Sequence, residues 1–259
     1  MPEALIQRVL AVLVALSDIS SLTTLSCVSK ACRESSRAAL QVCTELRPCL
    51  PRGGRATEAL RSVLPHCRGL VELDLRPSHG SVCDEALGAV ASTSSLRVLR
   101  LDHCSAITAQ GVQTLCSGAL TELQELTLRS AGDIGDGAAL SAAGALPRLT
   151  HLDLSWCHCV RGDAIAACAR RLKRLTLHGC ELVDSAMCQG LEALEELDVA
   201  FTRVCDVGLM ALAAHSPNLR RLVLACRSDN LWTTGNWSDT GLGEFRRLRP
   251  DVEVVFASC

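Results

Sequence analysis

The stretch that decides the fold is LTHLDLSWCHCVRGDAIAACARR, residues 149–171. Its opening, L-x-x-L-x-L, alternates apolar and polar side chains as a short half-buried strand does, and its second half repeats apolar residues every three or four positions, as an amphipathic helix does. The opening recurs at Leu70, Leu96, Leu123, Leu149, Leu172, Leu194 and Leu219, with spacings of 26, 27, 26, 23, 22 and 25 residues. Val199 stands in for the last Leu of the sixth copy. Neither half of such a unit can bury its apolar face alone, whereas stacked units can. The period therefore predicts an α/β solenoid, with parallel strands on one face and helices on the other.

Three residues past the last Leu stand Cys104, Cys157 and Cys180 in the second, fourth and fifth copies, and Ala131 and Thr202 in the third and sixth. With this Cys the unit resembles the cysteine-containing subtype of leucine-rich repeat, which reads roughly L-x-x-L-x-L-x-x-C-x-x-I-T-D-x-G-L. The resemblance runs from about residue 66 to 245 and implies a horseshoe, strands concave and helices convex. It also bears on the cluster Cys157, His158 and Cys159, two thiols and an imidazole that zinc or copper(I) would accept. Cys157 falls on the repeat's own Cys position, where the family buries a small thiol against turn backbone, so no metal or cofactor is expected. Asp206-Val207-Gly208 recurs as Asp239-Thr240-Gly241, which reads as a helix-start device, with Asp accepting free backbone N–H groups. No nucleophile elbow, phosphate loop or zinc helix motif is present, and an enzyme is not expected.

Composition narrows the partners. The chain has 259 residues, with 26 basic and 28 acidic side chains, which gives no field for nucleic acid or an anionic membrane. The apolar run at Val9–Leu16 is too short to span a bilayer, which takes about 20 residues. Sixteen cysteines without a signal-peptide pattern point to a reducing compartment, cytoplasm or nucleus. There the sequon Asn236-Trp237-Ser238 is not expected to carry a glycan.

Residues 1–40 differ from the rest. Pro2, Leu5, Ile6, Val9, Leu10 and Leu13, followed by LTTLSCVSKACR from Leu22 to Arg33, resemble an F-box, with Met1 for its leading Leu, a longer spacer and Cys32 for its Trp. The resemblance implies a helical segment over 1–40 and a repeat domain of about seven cysteine-type units over 41–259. It further implies the substrate-recognition subunit of an SCF-type cullin-RING ubiquitin ligase, docking a Skp-family adaptor and its cullin complex. Pro2, Leu5, Ile6, Val9, Leu10, Leu22, Leu25 and Val28 would make that contact. The alternative is a leucine-rich repeat interaction scaffold whose first forty residues only cap the core.

A protein substrate is expected on the concave face. The polar positions between and after the strand leucines supply Asp74, Arg76, Arg100, Asp102, Arg129, Asp153, Ser155, Thr176, His178 and Asp198. Every Trp and Phe lies at or beyond residue 156. Trp156 and Phe201 follow the strand in their copies, and Trp232 and Trp237 lie on an insertion near 227–237, where they either bind or fold back over the last strands as a lid. Arg76, Asp102, Arg129, Ser155, Trp156, His178, Phe201, Trp232 and Trp237 are the expected substrate-contacting residues. The closing LRPDVEVVF is expected to form a cap strand with Phe256 buried.

Overall fold

The structure is a computed structural model, and it describes residues 30–50, 55–134, 144, 146–226 and 236–257. Residues 1–29, with all eight expected adaptor-contacting side chains, and Trp232 lie outside the described residues.

A single parallel sheet runs the length of the molecule. Among the described residues its strands are β1 Glu45–Leu46, β2 Glu72–Asp74, β3 Val98–Arg100, β4 Glu125–Thr127, β5 His151–Asp153, β6 Arg174–Thr176, β7 Glu196–Asp198, β8 Arg221–Ala225 and β9 Glu253–Ala257, in chain order across the sheet. Register carries the sequence period into space. The first strand Leu of each copy pairs with the next, Leu73 with Leu99, Leu126, Leu152, Leu175, Leu197 and Leu222, and this row is buried throughout. Connections return over the other face through α2 Arg55–Val63, α3 Asp84–Val90, α4 Ala109–Cys116, α5 Gly162–Cys168, α6 Asp206–His215 and α7 Asp239–Leu248, with α1 Lys30–Gln41 before the first strand. The fifth copy has only a 3-10 turn, Ser185–Cys188, in place of a helix. A 3-10 turn rises about 2 Å per residue against 1.5 Å in an α-helix, and this copy is the shortest, 22 residues from Leu172 to Leu194.

The sheet begins one copy before the first L-x-x-L-x-L. Leu46 pairs with Leu73 and is fully buried, while Cys43 and Pro48 hold the places of Leu70 and Leu75. The copy is complete in register but not in leucines. At the other end β9 pairs with β8 along five residues. Phe256, however, is 41% exposed. It stands opposite the buried Leu224, yet no further described strand covers it, and its ring meets Trp237 at 5.8 Å and the Arg246 guanidinium at 5.8 Å.

The cysteine column lies inside. Cys157 Sγ donates to the Leu128 carbonyl at 3.2 Å and Cys180 Sγ to the Leu154 carbonyl at 3.0 Å. Each thiol thus ties its turn to the last strand leucine of the preceding copy. Cys104 is buried in the same column, and Thr202 there donates instead to Val199 of its own copy at 2.7 Å. Burial pushes the Cys104 and Cys180 thiols up to about 12, and Cys157 higher still.

The recurring aspartate serves a different partner from the one its position suggests. Asp206 is the first residue of α6, whose N-cap is Cys205. Its carboxylate accepts the Ser238 N–H at 2.7 Å and the Ser238 hydroxyl at 2.6 Å, while Ser238 Oγ accepts the Gly241 N–H at 3.0 Å and caps α7. Asp84 treats Thr108 alike, at 2.8 and 2.6 Å. The aspartate clamps the next copy's cap rather than its own helix.

Candidate protein-binding face

Three polar rows cross the concave face. The first precedes the strand leucine: Glu72, Val98, Glu125, His151, Arg174, Glu196, Arg221 and Glu253. This row is not among the positions expected to contact a partner, although the strand alternation that turns the residues between and after the strand leucines to solvent applies equally one residue earlier. The row is stitched by ion pairs, Arg100 to Glu72 and, at 3.2 Å, to Glu125, and Arg174 to Glu196 at 2.9 Å. The second row holds Asp74, Arg100, Thr127, Asp153, Thr176 and Asp198. The third, just past the last strand leucine, holds Arg76, Asp102, Arg129, Ser155, His178 and Ala200.

Beyond these rows the chain turns through the left-handed region at the same position in five successive copies, at His103, Ser130, Trp156, Gly179 and Phe201, with φ of 65, 49, 62, 73 and 57°. Such a φ disfavours every residue but Gly, by about 1–2 kcal/mol. The turn is held by a backbone ladder in which His103, Ser130, Trp156 and Gly179 donate to the third-row carbonyls of Arg129, Ser155, His178 and Ala200, at 2.7, 2.8, 2.7 and 2.9 Å. The ladder fixes where a side chain at this position emerges.

At two of these turns the side chain is a large aromatic. Trp156, 37% exposed, lies over Gly179, where a Cβ would come within 2.5 Å of its indole. The rings of Trp156 and His178 are 5.3 Å apart and those of His178 and Phe201 5.0 Å apart, while His158 meets the Trp156 edge at 6.4 Å. His178 Nδ1 stands 3.5 Å from Asp198 Oδ2. One imidazole thus joins two aromatic anchors across three copies.

A family model described as Leucine Rich repeat matches residues 93–116, 146–167 and 192–213. The fold is a leucine-rich repeat solenoid. Among solved structures, a TLR13–ssRNA13 complex resembles this chain with a TM-score of 0.60 at 18% identity, over 87% of this chain and 31% of that one. Internalin C2 from Listeria monocytogenes resembles it with a TM-score of 0.53 at 15% identity, over 94% and 92%. At these identities the likeness is one of fold, and the chain spans under a third of the length of the first. No curated protein matches the chain in sequence.

Within the leucine-rich repeat frame, Arg76, Asp102, Arg129, Trp156, His178 and Phe201 stand on or beside the concave rows. Ser155 does not face solvent: it is 3% exposed, and its hydroxyl and N–H both donate to Asp153 Oδ1, at 2.5 and 2.8 Å. A side chain too short to clear the strand folds back on the carboxylate beside it. Trp237 does not face solvent either: it packs inward, the alternative open for the insertion, 7% exposed and part of the core. It is held there between the bridge of Asn236 to Cys205 and the helix cap at Ser238, one residue before the cap of α7; its Nε1–H meets no acceptor among the described residues. Asn236 of the sequon donates to the Thr202 carbonyl at 3.1 Å.

Cys157 and Cys159 diverge, the first buried on a carbonyl and the second exposed. Among the described residues no three His, Cys, Asp or Glu side chains gather as a metal site would require. Nor is any described helix long and apolar enough to cross a membrane.

Proposed function

We propose that the chain is a protein-interaction module that holds a partner protein on its concave face, with Trp156, His178 and Phe201 at the centre of contact and no chemical step of its own. The observation that carries this reading is Trp156. A large aromatic stands half-exposed on a left-handed turn that favours glycine, which the fold alone does not require. Exposed aromatics of this kind are the usual anchors of protein interfaces. A net charge of −2 and the acidic residues among the concave rows argue for protein over nucleic acid, since phosphate binding rests on a surplus of Lys and Arg.

The test is affinity capture with the full chain from its own cell type, comparing wild type with Trp156→Ala/Phe201→Ala and with Val207→Asp, a change on the exposed convex helix α6. Partners retained by Val207→Asp and lost by the concave double variant support the reading. Equal loss or equal retention in both removes it.

A second, finer reading makes the module a substrate receptor of an SCF-type ubiquitin ligase. It rests on the sequence of residues 2–33, above all Leu22–Arg33. It predicts that the purified chain binds a Skp-family adaptor and that Leu5→Asp/Val9→Asp abolishes binding with the circular dichroism spectrum unchanged. Absence of binding by the folded wild type leaves the scaffold reading alone.

A further inference from the structure

The carboxylates of the second concave row are neutralised within the molecule in the first repeats and not in the later ones. Asp74 accepts from the Arg76 guanidinium at 2.9 and 2.7 Å and from the Arg76 N–H at 3.1 Å. Arg76 also reaches Asp102 at 3.8 Å, and Arg47 reaches Asp74 at 3.9 Å. Three and five copies on, Asp153 and Asp198 occupy the register position of Asp74 in the same row, but the place of Arg76 is taken by Ser155 and by Ala200. Asp153 spends Oδ1 on the Ser155 hydroxyl and N–H. Asp198 Oδ1 accepts the Ala200 N–H at 2.9 Å.

Among the described residues neither carboxylate has a Lys or Arg within ion-pair distance. The field of Arg129 reaches Asp153 without forming a pair, and Asp102 adds a like charge. Arg174, on the neighbouring row, is engaged by both oxygens of Glu196 at 2.9 Å. The His178 ring is the group facing Asp198, at 3.5 Å.

These two carboxylates stand where the aromatics are. Asp153 lines a recess of about 200 Å³ with Glu125, Thr127, His151, Arg174 and Thr176, and Trp156 follows it by three residues. Carboxylates without an ion-paired Lys or Arg, on the same strands and turns as the partly exposed Trp156, match one kind of side chain. A guanidinium pairs with carboxylate through its planar fork and stacks on aromatic rings through its face.

Resting on the concave-face reading, we infer that the partner presents an arginine, which docks against Trp156 and His178 with its charge met by Asp153 and Asp198. Phe201 closes the far side of the contact. Burial pushes the Asp153 carboxyl upward from its ordinary range, and a cation brought beside it acts in the opposite direction.

A random-peptide display library panned on the immobilised full chain tests this, with selected peptides resynthesised and titrated by calorimetry. Selected peptides should carry Arg. Replacing that Arg by citrulline, which keeps the shape and removes the charge, should weaken binding about tenfold or more, and replacing it by Lys should weaken it less. Asp153→Asn/Asp198→Asn should cost a similar factor, with its melting temperature checked against wild type. Because the citrulline exchange leaves the protein untouched, it reads the contact even if that variant misfolds. Peptides that lose binding with Trp156→Ala yet tolerate both citrulline and the Asp→Asn changes overturn the arginine inference and leave the concave-face reading in place. Selected peptides indifferent to Trp156→Ala overturn both.

Discussion

The Asp206 carboxylate occupies the space that a Cβ on Gly241 of the next repeat would need. The same carboxylate takes two hydrogen bonds from Ser238, so the glycine and the clamp are one device. Gly241→Ala should lower stability by about 2 kcal/mol, and Asp206→Ala by about 1–3 kcal/mol through the unsatisfied cap. The double variant should cost less than the sum, since removing the carboxylate makes room for the methyl. Urea denaturation of the four proteins checks this, and strict additivity would refute the shared origin.

Gly179 allows Trp156 to lie flat. Its φ of 73° and the indole over it both exclude a side chain, so Gly179→Ala should cost about 2 kcal/mol and expose the indole, seen as a red shift in tryptophan emission. At position 156 itself, where φ is 62°, Trp156→Gly should be more stable than Trp156→Ala by up to about 1 kcal/mol, while both lose the partner.

Leu175 is fully buried in the central strand row. Leu175→Ala should cost about 2–5 kcal/mol, and Leu175→Asp, which buries an unpaired charge, should remove strand and helix signal from circular dichroism. An unchanged melting curve for Leu175→Asp would contradict the register.

Alkaline stability is governed by thiols. The chain has no Tyr and only two Lys, Lys30 and Lys173, so little else titrates between pH 9 and 12. Burial pushes Cys67, Cys104, Cys116, Cys180 and Cys188 from an ordinary 9.0 to about 12. Above pH 9 the unfolded chain releases these protons and the folded chain keeps them, so stability is full below pH 9 and falls as pH rises toward 12, by about 1.4 kcal/mol per pH unit per thiol. Denaturation midpoints from pH 8 to 11 should show the decline, and Cys104→Ala/Cys180→Ala should flatten it. At pH 8 the exposed Cys49 and Cys159 should alkylate in the folded protein while Cys104 and Cys180 do not.

The solenoid is legible in the sequence because its signal is a period, and seven leucine patterns at near-constant spacing leave one way to bury them. What was not legible depends on neighbours that a single unit cannot show. The copy at Cys43 and Leu46 is recognised only by pairing with β2. Ser155 and Trp237 carry the residue types of a binding surface but are placed by a carboxylate two residues away and by a strand bridge to Cys205. Asp206 lies at a helix start, and only the stacking of repeats reveals that Ser238 is its partner. Trp156 and Phe201 were found through residue type, while the left-handed backbone beneath them gives no mark in the sequence, because Gly occupies only one of the five turns.

Because the strands pair in chain order, each repeat leans only on those beside it, and such an array opens piecemeal instead of all at once. A ligand gripping Trp156, His178 and Phe201 would act as a splint across three successive units. Amide hydrogen exchange in β5, β6 and β7 should then slow together on binding, while β2 and β3 exchange as before, turning a stretch of independent links into one cooperative block.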